Sequence, residues 1–448
     1  PSSTLPPDQT PASTLPVRVP WPGFWWRRVW MQLKKPVRAA LAAASCSLLG
    51  LSGAVSAEAS GPWKFDTALL YYKEVDRITV LEPVINGKKE FKDENFLSIK
   101  LVLDSISGAS PNGAVAANTP QTFTGPSGEE EFEVPAGETP LDPGFKDTRG
   151  SATLTWEQPV FQNTKGAVSG YFSSEYDYLS AGSSLSLAHD FNKKNTTLSS
   201  GFAIELDRIS PVGGVPEPLK NTPKKLGDPR PRDGANKEKI VVDFLLGLTQ
   251  VVSRQTLAQM NYSASLASGY NTDPYKIVSV INGTTGNTEE YIYEKRPDKR
   301  FKQSLFLQLK HHFSRDVIDG SYRLMLDDWG VTSHTVDLKY RWEIFTNGYL
   351  EPSVRLYTQS AVDFFHPSLV KGQVPGNISA DYRLADLTGI TVGIKHGMTF
   401  KNGHALSFKG EYFEQSVDSS PEKAIGSQKG LNLFPKVKAF ILKLFYSF

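Results

Sequence analysis

The sequence predicts an all-β fold: a closed antiparallel transmembrane β-barrel of about 16 strands, with short periplasmic turns and long extracellular loops. Three observations predict it. Long segments alternate apolar and polar residues, a secretory leader comes before them, and the connections between them alternate between short and long.

The last segment of the chain shows the alternation most clearly. Its large apolar residues, spaced two apart, share one face: Phe440, Leu442, Leu444, Tyr446 and Phe448. Lys443 and Ser447 fall on the other face. A soluble β-sandwich would also alternate, because one face of each of its sheets is wet. All of the segments have ten or more residues, whereas ordinary strands have about five or six, and this length favours a membrane-spanning barrel.

Counting the segments gives an even number of strands. We place them at 64–74, 77–89, 96–106, 150–160, 167–179, 182–191, 197–209, 238–252, 256–269, 300–313, 317–328, 332–345, 349–361, 385–399, 404–416 and 436–448. Every connection on one side is short. The five long connections, 107–149, 210–237, 270–299, 362–384 and 417–435, all fall on the other side, together with three tight ones. Outer-membrane barrels separate their turns and loops in this way, so both chain ends should lie on the periplasmic side.

A secretory signal precedes the strands. Met31 is followed by basic residues, an apolar run over 39–55 and a small-residue cleavage site ending at Ala57. We therefore expect 31–57 to be a signal peptide and 58–448 the barrel. Residues 1–30 are expected to be a disordered, non-native upstream segment. Cys46 raises the alternative of a lipoprotein, but Ala43 stands where such signals prefer Leu, and the secretory signal is favoured.

Composition excludes several function classes. A net charge of +2 is too balanced for a nucleic-acid binder. The single cysteine, Cys46, lies in the leader, so the mature chain has no disulfide and no thiolate metal site. No nucleophile elbow, His-Glu-x-x-His motif or phosphate loop is present. We therefore expect no enzyme activity, no cofactor and no metal. Asp327-Asp328 could bind calcium, but a turn in which an Asp caps its own backbone is favoured.

The predicted inward face carries charges of both signs. The lumen-lining candidates are Asp66, Glu74, Lys100, Asp104, Glu175, Asp177, Arg323, Asp327, Asp337, Lys339, Arg341, Glu343 and Arg355. A barrel of this size encloses an aqueous lumen unless something plugs it. Facing charges would then set a transverse field that selects solutes. The alternative is a paired, solvated wall that only keeps the barrel rigid.

The connection 107–149 is the most distinctive of the loops. It contains the turn-forming residues Ser110, Pro111, Asn112 and Gly113. A connection this long is usually functional or disordered. We predict an ordered loop that folds into the lumen as a constriction, with an exposed mobile loop as the alternative.

Several motifs together resemble a known family. They are Tyr71-Tyr72-Lys73-Glu74-Val75-Asp76-Arg77, the run 107–114, Ser174-Glu175-Tyr176-Asp177-Tyr178, the runs 190–192 and 195–198, the run 269–276, Ser321-Tyr322-Arg323 with Asp327-Asp328-Trp329-Gly330, and Ser379-Ala380-Asp381-Tyr382-Arg383-Leu384. This set, which spans nearly all of the mature chain, resembles the bacterial domain-of-unknown-function family 3570 of outer-membrane β-barrel proteins. The resemblance implies no catalytic residues. It also implies an association with a thioredoxin-like protein, a small lipoprotein and a flavin-transferase relative, beside which proteins of this family appear.

Two functions fit these expectations. The first is a channel or conduit for small solutes in the outer membrane of a Gram-negative bacterium. The second is a scaffold or anchor for a periplasmic, lipoprotein or surface partner in an envelope redox or export system. Expected contacts are outer-membrane lipid and lipopolysaccharide, the barrel-assembly machinery, and a small lipoprotein or thioredoxin-like partner, but no nucleic acid. The terminal aromatic residues Tyr446 and Phe448 resemble the insertion signal that this machinery recognises.

Overall fold

The computed structural model describes residues 62–125, 131–373, 375–417 and 424–448. The predicted upstream segment, 1–30, and signal peptide, 31–57, lie outside these ranges. Within them, no helix combines the length and apolarity needed to cross a membrane.

The described chain forms strands along most of its length. They are β1 (Lys64–Glu74), β2 (Ile78–Glu90), β3 (Phe96–Pro111), β4 (Gln121–Thr124), β5 (Glu131–Val134), β6 (Leu141–Phe161), β7 (Thr164–Ser174), β8 (Tyr178–Phe191), β9 (Thr196–Ile209), β10 (Lys237–Val251), β11 (Thr256–Gly269), β12 (Ile277–Ile281), β13 (Thr288–Tyr293), β14 (Lys299–His312), β15 (Val317–Asp327), β16 (Thr332–Phe345), β17 (Gly348–Gln359), β18 (Ser368–Val370), β19 (Leu387–Thr399), β20 (Ala405–Val417) and β21 (Val437–Ser447). All of them except β4, β5, β12, β13 and β18 join one closed barrel of 16 strands. The short helical turns are 3₁₀: Lys92–Glu94, Asn192–Lys194, Tyr382–Leu384 and Gly426–Gly430.

The first and last barrel strands close the barrel. Asp66 of β1 lies opposite Ser447 of β21, and the pairing continues to Glu74 opposite Ala439. Phe65 and Phe448 exchange two backbone hydrogen bonds, of 2.8 and 2.9 Å. Every barrel strand therefore has a partner on each side, which leaves no open sheet edge. This confirms the predicted 16-stranded antiparallel barrel.

The outward face of the barrel is apolar. Leu69 and Leu444, which pair directly across the β1–β21 seam, are 40% and 43% exposed. At the end with the short connections, aromatic rings contact one another around Phe448, with ring centroids 5.5 Å from Phe65 and 5.4 Å from Tyr446. An apolar band edged by aromatic residues is the outer surface that a membrane-spanning barrel needs.

A proline interrupts one hydrogen-bond ladder in this band. The β2–β3 pairing runs from Ile78 to Leu81 and resumes at Val84, so that Glu82 and Pro83 have no partner residue on β3. Proline has no N–H to donate to a ladder. The gap lies beside an outward-facing apolar groove of about 470 Å³, lined by residues of β1, β2, β3 and β21.

The connection predicted over 107–149 is shorter in the structure. β3 continues to Pro111 and β6 begins at Leu141, so the connection covers 112–140. Ser110 pairs with Asp142, and Pro111 pairs with Leu141. Predicting these two residues in a loop was therefore wrong. The glycine and proline that suggested turns are accommodated by a shift in register between Gly108 and Ser110, as in a β-bulge.

The turn between β7 and β8 also lies elsewhere than predicted. It falls at residues 175–177, not at 180–181, and the Glu175 N–H donates to the Tyr178 carbonyl, 2.7 Å away. Glu175 and Asp177 are thus turn residues and not part of the barrel wall, contrary to our prediction. The small residues at 180–182 suggested a turn, but they are paired within β8, with Ser180 opposite Asp207.

Candidate functional site: a capped lumen with two charged halves

The barrel wall holds most of the predicted lumen residues. The strand register places 11 of the 13 candidates on the inward face: Asp66, Glu74, Lys100, Asp104, Arg323, Asp327, Asp337, Lys339, Arg341, Glu343 and Arg355. The two exceptions are Glu175 and Asp177, at the β7–β8 turn. Asp177 is nevertheless buried, at 4% exposure.

Inward-facing charges divide the lumen into two halves. On the barrel strands from β1 to β11, 11 carboxylates and 7 cations point into the lumen. For β3 and β6 this count includes only the residues on the barrel side of the bulge at Gly108–Ser110. The carboxylates are Asp66, Glu74, Glu82, Glu90, Asp104, Asp147, Glu157, Asp190, Glu205, Asp207 and Asp243. On β14 to β21 the balance reverses, with 10 cations and 6 carboxylates. These cations are Arg300, Lys302, Lys310, Arg323, Lys339, Arg341, Arg355, Lys395, Lys409 and Lys443. A net negative half faces a net positive half, so a transverse field crosses the lumen.

Many of these charges are paired within the wall. Arg149 Nε donates to Asp104 Oδ2 at 2.5 Å. Lys239 Nζ lies 2.9 Å from Asp207 Oδ2. Pairs of this kind lower the cost of placing charges inside the barrel. The excess charge of each half remains after such pairing.

The long connections fold together into a cap over one end of the barrel. The hairpin β12–β13 lies at its centre, and β18, from the connection 360–386, adds to β12 in parallel. The connection 210–236 joins the other side, where the Leu219 N–H donates to the Tyr293 carbonyl at 3.1 Å. Val278, Val280, Ile292, Leu369 and Ile378 form an apolar core between these connections. The cap is therefore a packed structure.

The connection 270–298 crosses the mouth of the barrel. It leaves the wall at β11 and reaches β3, six strands away around the barrel. There the Ile277 N–H donates to the Asn112 carbonyl at 2.9 Å, and Lys276 Nζ donates to the Pro111 carbonyl. On the way, the Tyr275 hydroxyl donates to the Asp177 carboxylate at the β7–β8 turn.

Two of the predicted constriction residues take part in this crossing. Asn112 and Gly113 lie at the start of the connection 112–140, against β12. Gly113 has a φ of +97°, and a Cβ there would lie 2.5 Å from the Ile277 carbonyl oxygen, so only glycine fits. These residues anchor the hairpin of another connection at the mouth.

The segment 379–385 packs against the inside of the barrel. Tyr382 packs against a cluster of buried, inward-facing apolar residues that includes Leu70, Tyr72 and Ile441. The Arg77 guanidinium lies 5.4 Å from the centre of the Tyr382 ring. Leu384 packs into a second apolar cluster around Trp329. The cap therefore dips into the lumen and contacts the inner wall.

A buried ion network locks the connections 270–298 and 360–386 together. Arg296 Nη2 donates to Asp381 Oδ2 at 3.0 Å, and Arg383 Nη2 donates to Asp273 Oδ2 at the same distance. Arg383 also donates from Nε to both oxygens of Asp381, at 2.9 Å each. We call Asp273, Lys276, Glu294, Arg296, Asp381 and Arg383 the cap network. Its three carboxylates balance its three cations.

Glu294, the residue that follows β13, completes the cap network. One of its carboxylate oxygens lies 2.6 Å from Arg296 Nε, and the other accepts a 2.5 Å hydrogen bond from the Ser379 hydroxyl. Glu294 and Asp381 are each only 1% exposed. Charges buried to this extent persist because each has a partner of opposite sign.

The protonation equilibria follow from this burial. Burial alone would raise the pKa of Asp381, but the charges of Arg383 and Arg296 hold that pKa below its usual range. In the same way Lys276, Arg383 and Arg296 outweigh burial and lower the pKa of Asp273. For Glu294, burial outweighs Arg296 and raises the pKa.

The sequence motifs converge on this cap. The run 269–276 supplies Asp273, Tyr275 and Lys276, and the run 379–384 supplies Asp381 and Arg383. Sequence reasoning identified these motifs but did not place their residues together. The available signal was the presence of charged residues inside these two loop motifs.

The Asp327-Asp328 pair forms the turn favoured over calcium binding. Asp327 Oδ1 accepts hydrogen bonds from the backbone of Trp329 at 3.1 Å and of Val331 at 2.8 Å. Its other oxygen accepts from Arg300 Nε at 2.8 Å. Across the described ranges, no group of three or more His, Cys, Asp or Glu side chains could hold a metal ion.

The fold and the site define a 16-stranded β-barrel with a capped, charged lumen. The chain belongs to the protein family of unknown function DUF3570, whose model matches residues 38–448. This confirms the family resemblance found in the sequence. No curated protein matches the chain.

Solved outer-membrane barrels resemble the chain only distantly. A ferric enterobactin receptor (PfeA) mutant from Pseudomonas aeruginosa is 9% identical, with a TM-score of 0.43 over 84% of this chain and 57% of the receptor. CdiB from Acinetobacter baumannii is 9% identical, with a TM-score of 0.44 over 88% of this chain and 61% of CdiB. OccK3 (OpdO) from Pseudomonas aeruginosa is 8% identical, with a TM-score of 0.37 over 88% of this chain and 96% of OccK3. The chain spans little more than half the length of the receptor.

Proposed function

We propose that the protein is an outer-membrane conduit for small polar solutes, closed at its mouth by the cap. The observation that carries this proposal is the charge-divided lumen inside a closed 16-stranded barrel. A barrel of this size has room for an aqueous path when no plug fills it. The apolar, aromatic-edged outer face supports placement in the outer membrane of a Gram-negative bacterium. The proposal involves no catalytic step and no cofactor.

Under this proposal the cap acts as a gate. Its contacts with the inner wall at Tyr382 and with the rim at Pro111 and Asp177 place it across the mouth. Solutes would pass only when the connections 270–298 and 360–386 separate from the wall or from each other. The cap network supplies the buried ion pairs between them, beside the backbone pairing of β12 with β18, so its strength should affect the open fraction.

Single-channel recording on the purified, folded protein tests the proposal. We expect brief openings for the unaltered protein and a larger open fraction for Asp381→Asn, because this change removes the charge that Arg296 and Arg383 share. Lys371→Gln is the matched control. It breaks a 2.7 Å ion pair with Glu289 that joins the same two connections but is exposed. Persistent absence of current in all three proteins would contradict the proposal.

A scaffold or anchor is the second candidate, and the closed cap favours it. A mouth held shut by buried ion pairs suits a barrel that need not open. In this case a lipoprotein, thioredoxin-like protein or surface partner would bind the barrel. Crosslinking in intact cells followed by purification should then recover one partner in stoichiometric amount, whereas recovery of the barrel alone would contradict the idea.

A further inference from the structure

Three lysines form a row across neighbouring strands on the inward face. Lys395 of β19 lies directly opposite Lys409 of β20, and Lys409 lies directly opposite Lys443 of β21. Like charges at directly opposite positions of a sheet destabilise it. The row therefore needs negative charge nearby.

One carboxylate serves two of the three lysines. Glu411 lies 2.6 Å from Lys409 Nζ through one oxygen and 2.7 Å from Lys443 Nζ through the other. Lys395 forms no salt bridge or hydrogen bond with any residue in the described ranges, although it is only 4% exposed. Its contacts are with rings, at 5.8 Å from the centre of Tyr349 and 5.2 Å from that of Phe445. The Lys395 Nζ thus has no acceptor in the wall and is not among the fully buried nitrogens, so it is open to an anion in the lumen.

Further cations surround the row. Lys339, Arg341 and Arg355 face inward on β16 and β17. Arg341 is paired with Glu343 at 2.6 Å, and Arg355 with Asp337 at 3.5 Å. Counting Glu351, which lies opposite Lys395 on β17, six cations share four carboxylates. The cluster keeps an excess of two positive charges.

We propose that the lysine row binds a small oxyanion, a phosphate or a carboxylate, in the half of the lumen nearer the short connections. An oxyanion supplies the acceptors that Lys395 lacks, through charge-assisted hydrogen bonds. It also offsets the excess charge of the cluster. If the barrel is a conduit, the site implies that anions pass in preference to cations, and this part of the inference rests on the proposed function. The binding of an oxyanion does not depend on the proposed function.

Calorimetric titration of the purified full-length barrel tests the site, with inorganic phosphate and succinate as separate probes. We expect binding of at least one probe, weakened about tenfold or more by Lys395→Gln. Lys310→Gln is the matched control, because Lys310 also faces the lumen but is paired with Asp319 at 3.2 Å. It should change the affinity by less than about twofold. Absence of binding with both probes, or equal losses in the two variants, would overturn the proposal.

Two measurements guard against misfolding and separate the two proposals. Lys395→Arg keeps the charge and should retain binding, whereas loss of binding in a correctly folded Arg variant would contradict the site. The reversal potential in a salt gradient should show anion preference that Lys395→Gln reduces; cation preference would overturn the transport part. Phosphate binding without any current would support the site and contradict the conduit.

Discussion

Arg296 and Asp381 are 85 residues apart in sequence, and their side chains meet at 3.0 Å between Nη2 and Oδ2. The contact joins the connection that leaves β11 to the connection that leaves β17. Arg383 binds the same carboxylate, so Asp381 is a central point of contact between the two connections.

Asp381→Asn should loosen the cap and leave the barrel intact. The change leaves two buried guanidinium groups without their shared charge, and breaking a buried ion pair from one side costs about 3–5 kcal/mol. Hydrogen exchange should show faster exchange over 270–298 and 360–386 and no change in the barrel strands. Lys371→Gln, which breaks an exposed pair between the same connections, should have a much smaller effect, because solvent screens exposed ion pairs. Equal effects from the two variants would show that the buried network has no special role.

Acid should open the cap. The pKa values of Asp381 and Asp273 are lowered in the folded cap, so their stabilising contribution is complete above the ordinary aspartate pKa of about 3.9 and is lost as the pH falls below it. Glu294, whose pKa is raised, works in the opposite direction, because its protonation on acidification removes the cost of its buried charge. We expect resistance of the cap to limited proteolysis from pH 7 to about 5, and cleavage in the two connections below about pH 4. In Asp381→Asn the dependence should be weaker; an unchanged acid transition would argue against the network as its source.

Pro83→Val should stabilise the barrel. The substitution supplies the missing N–H to the β2–β3 ladder, and one added hydrogen bond contributes about 0.5–1.5 kcal/mol. The temperature at which the folded band converts to the unfolded band on a denaturing gel should therefore rise. Leu103→Val, in the same groove but without a change in the ladder, is the control. A lower conversion temperature for Pro83→Val would indicate that the gap is needed for the curvature of the wall.

Removing 446–448 should prevent formation of a stable barrel. The deletion abolishes the two backbone hydrogen bonds between Phe448 and Phe65, and also the 2.6 Å hydrogen bond between the Tyr446 hydroxyl and His404 Nδ1. The conservative change Phe448→Tyr should retain assembly. The measurement is the amount of heat-modifiable barrel in the outer-membrane fraction. A normal amount after the deletion would also contradict the proposed insertion signal.

The barrel could be predicted from the sequence because the alternation of inward and outward side chains is a local pattern along each strand. The alternation that places Lys443 inside and Leu442 outside repeats every two residues, so strand number and facing follow from reading along the chain. The same rule failed at 175–182. There the small residues of β8 resemble a turn, and only the pairing of Ser180 with Asp207 shows that they belong to a strand.

The cap could not be predicted in this way. Its contacts join connections that are far apart in sequence, such as Lys276 with Pro111 and Arg383 with Asp273, and no periodic pattern reports such pairs. Only the identity of the loop residues carried a signal. Charged residues within Gly269–Lys276 and Ser379–Leu384 marked the two segments, but their partners became evident only in three dimensions.

The pairing of β1 with β21 also bears on how the chain folds. The hydrogen bond from the Thr67 hydroxyl to the Tyr446 carbonyl spans 379 residues of sequence. Contacts of such long range form late and slowly, because the loop entropy is lost before the contact stabilises the chain. Until that moment, both terminal strands present unpaired edges that can pair with other chains. A barrel closed in this way therefore benefits from an assembly factor that binds the unpaired edge of one terminal strand until β1 and β21 pair.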